Sequence, residues 1–538
     1  MNNPTDQNTG RLAEIITARK FLFAMLIVAA VLPTALLWNK ATYATGDSYM
    51  YMRAGMNLVR GHGFVGMDGG FMYVQDRPLY PIVIGLASLL TSHVETAARL
   101  ISLFGATLAV VAFYWLVKQR QSQTIAIVAA LVFALLPLRV WSGQWIQTNG
   151  LALGLLLSGI TLLFMKERPS RAITFSTGGL IGLAYLTRSE MIVPCAAAFG
   201  YLLLFSAFPN FKKRLFASAL FLLAFLMFVL PHQLWLSNQM GPHARNRLAD
   251  NLSASEFVYQ GWPIPFDLHF DESSKTFVRV IPDLTLRAFA TRYLYFAKQE
   301  IGRLLYLAGP RLLVLPLILV GGIGFLLSLI RRRKDAFWQA ILLSPLLILP
   351  FLHIEDRYLL PAFPVICLWI VSGAWTSGKW LSRQLERSQS RIAIKPVWVS
   401  GVVIALLLGV YTYRMATMLP KTHTRQLTQQ AAAWMQAARL PEGKTMAQEP
   451  ALAFYKNSVQ VWLPYGPFDH VLRYARENEV RYVFVSSNDT ANPIKDRLLA
   501  GNDLPSDLHL LQSFATKDET ARLFELAPEA DAPDVARR

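Results

Sequence analysis

The stretch FLFAMLIVAAVLPTALLW (residues 21–38) is a predominantly apolar run long enough to cross a lipid bilayer as a helix. Arg11, Arg19 and Lys20 precede it, and the positive-inside rule then places the N-terminal side of the helix in the cytoplasm. A signal peptide has a shorter apolar region, so the length argues against cleavage. We therefore expect a retained first membrane helix.

The rest of the chain indicates a polytopic α-helical membrane protein. Of the 538 residues, 54% are hydrophobic and only 16% are charged, which is more apolar surface than one soluble core can bury. At roughly 20 apolar residues per crossing we predict about eleven spans. The ten further candidates lie near residues 97–117, 123–138, 145–165, 172–187, 191–208, 215–236, 311–330, 336–352, 358–376 and 397–415.

Lys and Arg residues concentrate in alternate loops, which fixes one orientation. That orientation places residues 39–96, residues 237–310 and the chain from about 416 outside the cytoplasm. The net charge of +18 fits membrane topology and anionic lipid better than nucleic acid, because no Lys/Arg-rich run has interleaved aromatic residues. Cys195 and Cys367 fall in predicted spans, so the outer segments have no disulfide framework.

The C-terminal segment has the pattern of a small α/β domain. RQLTQQAAAWMQAARL (residues 425–440) has amphipathic helical spacing. After it, strand-like VQVWL, helical DHVLRYARENEV and strand-like RYVFVSS alternate. We therefore predict a membrane domain over residues 1–415 and an extracytoplasmic α/β domain over residues 416–538.

The first outer segment contains the most unusual charges. In TGDSYMYMRAGMNLVRGHGF (residues 45–64), Tyr49 and Met52 share one face of a helix that could lie in the membrane interface with this face toward lipid. Asp47 would then lie at the junction between the first span and this helix, where it could also serve as an N-cap. The following MDGGFMYVQDRPLYP (residues 67–81) adds Asp68, Asp76 and Arg77.

The sequence resembles the GT-C membrane glycosyltransferases, in the branch of the protein O-mannosyltransferases and lipid A aminoarabinose transferases. The resemblance rests on an ordered series of motifs. These are GDSYMYMRAGMNLVRGHGF (46–64), the segment from QDRPLYP to VAFYWLV (75–117), GLAYLTRSE (182–190), EDRYLLPAFP (355–364) and LPYGPFDHVLRYARENEVRYVFV (463–485). It implies about eleven transmembrane helices, with interfacial helices in the first outer loop.

The resemblance implies transfer of a sugar from a polyprenyl-phosphate donor to an acceptor at the outer face of the cytoplasmic membrane. Lipid, polysaccharide and protein acceptors remain open. Asp47 matches the family's acidic position and would be the general base, or would bind a metal or the acceptor. Ser48 stands where many relatives have a second acid, so a paired-carboxylate role could pass to Asp68 or Asp76 in a substrate pocket.

The departing phosphate requires cations, and the motifs supply two at predicted outer span ends. Arg77 takes the family's basic position before Pro78, although Leu79 replaces a common second Pro. Arg357, with Tyr358 beside it, is the second candidate for binding the donor phosphate. Either Arg could instead only reach toward lipid phosphates, as Arg at span ends commonly does.

Arg188 and Glu190 in LTRSE could shape the sugar pocket, although a solvated turn is the plainer interpretation of Glu190. Asp68, Asp76 and Asp356 also fit the pattern of solvated loop charges. The resemblance allows a divalent cation, Mg²⁺ or Mn²⁺, but three scattered Asp residues do not define a metal site.

Other function classes stay open at this stage. A polymerase or oligosaccharide transferase of the same fold would use a lipid diphosphate donor and would require more phosphate-binding cations. A membrane transporter would have similar hydropathy, but carriers commonly place ionisable groups at mid-membrane, and the predicted spans contain hardly any. A non-catalytic assembly partner is a further alternative. The polar, aromatic residues 250–277 suit either a mobile lid or a loop packed on the C-terminal domain.

Overall fold

The computed structural model of the chain describes most of the sequence in fifteen stretches. They are residues 4–38, 44–67, 77–91, 93–240, 259, 268–278, 285–308, 311–331, 333–351, 355–387, 396–417, 423–490, 492–501, 504–517 and 519–527. Two of the predicted pocket residues, Asp68 and Asp76, fall outside these stretches.

The N-terminal three quarters of the described chain is helical. Its first ten helices are α1 (Pro4–Leu36), α2 (Gly46–Val59), α3 (Leu79–Ser88), α4 (Val94–Lys118), α5 (Gln123–Ala134), α6 (Pro137–Gln144), α7 (Asn149–Leu163), α8 (Arg171–Thr187), α9 (Ile192–Gly200) and α10 (Phe211–Met240). The helices that follow are Leu286–Ala308, Arg311–Arg331, Arg333–Leu343, Phe363–Arg387 and Pro396–Thr417.

Among the described residues, three helices are long and apolar enough to cross a membrane: Val94–Lys118, Phe211–Asn238 and Asp356–Arg387. The bent pair of α5 and α6 would make a fourth span, and seven shorter apolar helices accompany them. Most predicted spans therefore coincide with an apolar helix. The count of eleven crossings stays a prediction.

Two predicted spans have different boundaries in the structure. The span predicted over residues 123–138 bends by 61° between α5 and α6, because Pro137 has no N–H to continue the helix ladder. The span predicted from residue 145 begins only at Asn149. The residues between α6 and α7 are instead used for contacts described below.

Helices α4 and α7 pack with their backbones in close approach. A Cβ atom on Gly105 would lie only 2.4 Å from Leu151 Cα, and one on Gly154 would lie 2.6 Å from the Gly105 carbonyl oxygen. Small residues at such crossings let membrane helices approach closely without a steric clash. This packing holds the start of α7 against the middle of the bundle.

The C-terminal domain contains a five-stranded mixed sheet, which confirms the predicted α/β character. Earlier in the chain, β1 (His269–Asp271) and β2 (Thr276–Val278) form a separate hairpin. The strands of the five-stranded sheet are β3 (Lys444–Ala447), β4 (Gln460–Trp462), β5 (Val480–Ser486), β6 (Leu508–Ala515) and β7 (Thr520–Leu526). The sheet order is β4-β3-β5-β7-β6. Strand β3 runs parallel to β4 and β5, whereas β7 is antiparallel to β5 and β6.

Helices His423–Ala437, Ala451–Lys456, Phe468–Glu477 and Pro493–Ala500 accompany the sheet. The predicted domain boundary after residue 415 stays a prediction.

The β1–β2 hairpin packs on this C-terminal domain. The Phe270 N–H donates to the Tyr465 carbonyl at 2.9 Å, and the Phe270 ring stacks on His470 with centroids 3.9 Å apart. This part of the segment 237–310 thus follows the packed alternative. The lid interpretation stays a prediction, since residues 241–258 and 260–267 lie outside the described stretches.

Helix α2 is covered by protein, which corrects the expectation that its Tyr and Met residues face lipid. Tyr49 and Met52 are buried, and the Tyr49 ring packs on Phe454 and Tyr455 at 5.4 and 5.8 Å. Spacing alone could not reveal this, because the helix Ala451–Lys456 that covers the apolar face is about 400 residues away in sequence.

Candidate active site

Asp47 is the second residue of α2, and its carboxylate forms an ion pair. Its Oδ2 atom accepts a hydrogen bond from Arg357 Nη1 at 3.0 Å. The N-cap position belongs to Thr45, whose backbone N–H donates to Ser48 Oγ at 2.8 Å. The capping alternative for Asp47 is therefore wrong, and its side chain remains for contacts across the bundle.

Arg357 lies inside the protein and does not extend toward lipid. Its side chain is 14% exposed, compared with 33% for Asp47. Besides Asp47 it contacts Glu355, with Nε 2.5 Å and Nη2 3.1 Å from the two carboxylate oxygens. Two carboxylates thus share one guanidinium, a geometry that could equally hold the oxygens of a phosphate.

Arg188 and Glu190 form a second, more buried ion pair. Their side chains are 5% and 10% exposed, so the interpretation of Glu190 as a solvated charge is wrong. Arg188 Nη1 also donates to Thr148 Oγ1 at 3.3 Å, and its guanidinium lies 4.7 Å from the centre of the Tyr358 ring. The Tyr358 ring also lies 5.3 Å from the Arg357 guanidinium. Tyr358 therefore contacts both cations.

Arg77 approaches the same region from the start of α3. Its Nη1 donates to the Tyr51 hydroxyl on α2 at 3.1 Å. Its charge also acts electrostatically on Glu190 and on Tyr358. The structure thus brings six of the residues that the motifs single out into one region. They are Asp47, Arg77, Arg188, Glu190, Arg357 and Tyr358.

Sequence reasoning misses the turn at residues 145–148, because the apolar pattern predicts a span from residue 145. Gln147 Nε2 donates to Thr45 Oγ1 at 2.7 Å, and Asn149 Nδ2 donates to the Arg357 carbonyl at 2.7 Å. The Ile146 carbonyl accepts from Ser48 Oγ at 2.8 Å. The three consecutive polar residues 147–149 inside an apolar run were the available signal, since unpaired polar groups are costly in lipid.

A small cavity that opens to solvent lies beside these ion pairs. Arg188, Glu190, Arg357 and Tyr358 line it together with Asn149 and a group of apolar residues. The three arginines and the three carboxylates Asp47, Glu190 and Glu355 balance in formal charge. An anion that binds Arg188 or Arg357 therefore approaches a guanidinium that already pairs with a carboxylate.

The described residues do not supply a metal centre. They contain no group of three or more His, Cys, Asp or Glu side chains arranged to hold a metal ion. The carboxylates nearest the cavity are instead paired with arginines. These described residues do not fit a divalent cation.

Comparison with known proteins gives a family match and several whole-fold matches. Residues 76–235 match the family described as dolichyl-phosphate-mannose-protein mannosyltransferase. The structure of ArnT from Cupriavidus metallidurans bound to undecaprenyl phosphate matches with a TM-score of 0.58 and 12% identity, over 94% of this chain and 98% of that one. No curated protein matches the sequence.

A second solved structure is archaeal oligosaccharyltransferase AglB from Archaeoglobus fulgidus, in complex with an inhibitory peptide and a dolichol-phosphate. It matches with a TM-score of 0.54 and 14% identity, over 87% of this chain and 69% of that one. At these identities the matches establish the fold. The chain thus has the multi-pass helical fold of the GT-C membrane glycosyltransferases, and the resemblance identified from the motifs is confirmed.

Proposed function

We propose that the chain transfers a sugar from a polyprenyl-phosphate donor to an acceptor hydroxyl at the outer face of the cytoplasmic membrane, with Asp47 as general base. The observation that carries the proposal is the Asp47–Arg357 ion pair beside a cavity lined by Arg188 and Tyr358. The matched family and the lipid phosphates in the two solved neighbours support the choice of donor.

The chemistry is a single displacement at the anomeric carbon, which inverts its configuration. Asp47 removes the proton of the acceptor hydroxyl as its oxygen bonds to that carbon. The bond between the anomeric carbon and the phosphate oxygen breaks, and the electron pair leaves with the polyprenyl phosphate. A phosphate leaves as a stable anion, so the reaction requires cations to stabilise it rather than an acid to protonate it.

Arg357 connects donor binding with activation of the base. A donor phosphate that binds Arg357 through the N–H groups now used by Asp47 or Glu355 takes the place of that carboxylate. Because Asp47 is one third exposed, its carboxylate can leave the guanidinium without becoming buried and unpaired. Donor binding thus releases the base next to the anomeric carbon.

Arg188 and Arg77 have supporting roles in this proposal. The Arg188–Glu190 pair is nearly buried, so its charge is fixed in place and oriented toward Tyr358. Arg77, whose Nη1 donates to the Tyr51 hydroxyl, adds positive potential that acts on Glu190 and Tyr358. The phosphate would therefore be held chiefly by Arg357 and stabilised at longer range by the other two cations.

The test is transfer of labelled sugar from a panel of polyprenyl-phosphate sugars by the full chain in lipid nanodiscs. The Asp47→Asn variant should lose transfer about 10²- to 10⁴-fold, the contribution of a general base, while still binding undecaprenyl phosphate. A chelator added to the native protein tests for a divalent cation. Equal rates for the two proteins would remove Asp47 from the chemistry.

The same assay separates the alternative donors. The formal charge of the three arginines is already balanced by three carboxylates, which suits a monophosphate donor better than a lipid diphosphate. Transfer from diphosphate donors alone would favour an oligosaccharide transferase or polymerase. In sealed proteoliposomes, labelled substrate that crosses the membrane without transfer would favour a transporter. The eleven-span topology with an outer C-terminal domain can be tested by labelling single cysteines from each side.

A further inference from the structure

The carboxyl ends of two strands of the C-terminal sheet, β3 and β5, lie beside the proposed site. Glu449 follows β3, and Asp489 follows the neighbouring strand β5, which runs parallel to β3. The chain leaves β3 toward β4 on one side and returns to β5 on the other. In open α/β sheets, such a reversal opens a crevice at the carboxyl ends of the strands, where ligands bind.

This crevice faces the start of α2. A Cβ atom on Gly46 would lie 3.0 Å from Glu449 Oε2, so the Glu449 carboxylate lies against the residue next to Asp47. Glu449 is surrounded by protein on most sides but remains accessible to solvent, as expected for a group in a cleft. Within the described stretches, neither a hydrogen bond nor an ion pair engages its carboxylate.

Ser48, which stands at the position of the second acid, is not available for substrate. Its hydroxyl donates to the Ile146 carbonyl at 2.8 Å and accepts from the Thr45 N–H at 2.8 Å. Ser48 is also fully buried. Glu449, from a distant part of the chain, instead brings a carboxylate against Gly46 and close enough to Asp47 to interact with it electrostatically.

We propose that Glu449 is the second carboxylate of the transfer site and accepts a hydrogen bond from the acceptor, which it orients toward Asp47. The proposal rests on the function proposed above and extends it by making the C-terminal domain part of the site. The division of the site supports this role. Arg188 and Arg357 line the cavity and are buried, whereas Asp47 and Glu449 are accessible to an acceptor that approaches from solvent or from the lipid headgroups.

The C-terminal domain is anchored where this role requires it. Arg53 on α2 donates to the carbonyls of Ala453 and Phe454, each at 3.1 Å, and to the Asn457 side chain. The Tyr455 hydroxyl donates to Glu95 at 2.8 Å. These bonds fix the helix that begins two residues after Glu449. Gln448, the preceding residue, donates to Thr490 Oγ1 at 2.8 Å and so ties the loops after β3 and β5 together.

The surroundings of Glu449 shift its pKa into the pH range that a transfer assay can cover. Desolvation, Asp489 and Asp47 together raise the pKa of Glu449 to about 7. Asp489 is itself near Glu519, while Lys495 donates to the Asp489 carbonyl, and Arg357 pairs with Asp47. Because the ionised form accepts the acceptor's hydrogen bond, the contribution of Glu449 to transfer should be lost as the pH falls from about 8 to about 6.

The experiment compares the full-length native protein with Glu449→Gln, Glu449→Asp and a control, Glu442→Gln, in nanodiscs. Glu442 lies on the same domain and is exposed. For each protein, transfer is measured from pH 5.5 to 8.5 against acceptor and donor concentration. Binding of undecaprenyl phosphate reports whether the donor side of the site is intact.

We expect Glu449→Gln to lower kcat/KM for the acceptor about 10- to 100-fold, the contribution of one hydrogen bond to a charged group. Undecaprenyl phosphate affinity should be unchanged, and the step near pH 7 should disappear. Glu449→Asp should keep that step and part of the rate, and Glu442→Gln should behave as the native protein. Native rates and an unchanged pH profile in Glu449→Gln would overturn the role of Glu449 alone. Native protein that transfers no sugar from any donor would overturn the proposed function as well.

Discussion

Replacement of Asp47 by Asn should change binding and transfer in opposite directions. The substitution keeps the shape of the side chain but removes the charge that now occupies Arg357 Nη1. Arg357 then retains only Glu355 as an ionic partner among the described carboxylates. The lipid phosphate would meet one competitor fewer, and the acceptor would lose its base. We therefore expect tighter binding of undecaprenyl phosphate together with slower transfer.

The magnitude follows from the exposure of the pair. Asp47 is 33% and Arg357 14% exposed, so the pair is intermediate between a surface and a buried ion pair. Its removal should make the binding free energy of the lipid phosphate more favourable by about 1 kcal/mol. That free energy corresponds to an affinity increase of about fivefold for undecaprenyl phosphate. The loss of transfer should be much larger, about 10²- to 10⁴-fold.

The assay is equilibrium binding of undecaprenyl phosphate to protein in nanodiscs, beside the transfer rate. Asp356→Asn is a matched control, because Asp356 has similar exposure, 35%, and pairs with Arg303 at 3.3 Å. The control should change neither quantity by more than about twofold. Weaker binding by Asp47→Asn would refute the idea that Asp47 and the phosphate compete for Arg357.

Two further predictions concern the elements that hold the site. Arg188→Met should lower the free energy of unfolding by about 3–5 kcal/mol, because Glu190 becomes a buried, unpaired charge. Addition of Glu190→Gln should recover most of that loss in thermal unfolding, and a double variant less stable than the single one would contradict the pairing. Arg53→Ala should loosen the C-terminal domain and lower transfer more than tenfold. In the Arg53→Ala variant, limited proteolysis should cleave the C-terminal domain faster. Its affinity for undecaprenyl phosphate should stay constant.

Hydropathy predicted the helical membrane fold because the apolar blocks are long and their periodicity is local. The bend at Pro137 and the late start of α7 at Asn149 were harder to predict, since an apolar window averages over a few polar residues. Burial of Tyr49 on α2 was beyond local reasoning, because the helix that covers it comes from the C-terminal domain. Sequence spacing shows which residues share a face, but not what packs on that face.

The candidate site could be predicted only in part, for the same physical reason. The motifs identified Asp47 and Arg357, but their 3.0 Å ion pair joins positions 310 residues apart. Glu190 was misjudged because a short polar motif at a helix end gives no information on burial. Glu449 was missed altogether, because it lies in a segment without a recognisable motif. Its carboxylate comes close to the site only because the C-terminal domain packs on α2.

The distribution of exposure among the ion pairs indicates which of them exchanges with substrate. A phosphate that displaces a carboxylate from its guanidinium leaves that carboxylate to be solvated, and the cost is large if water cannot reach it. Glu190 is 10% exposed, whereas Asp47 and Glu355 are 33% and 37% exposed. Exchange is therefore cheapest at Arg357. One of the two carboxylates that pair with Arg357 is the proposed base, Asp47. Donor binding would therefore precede productive binding of the acceptor.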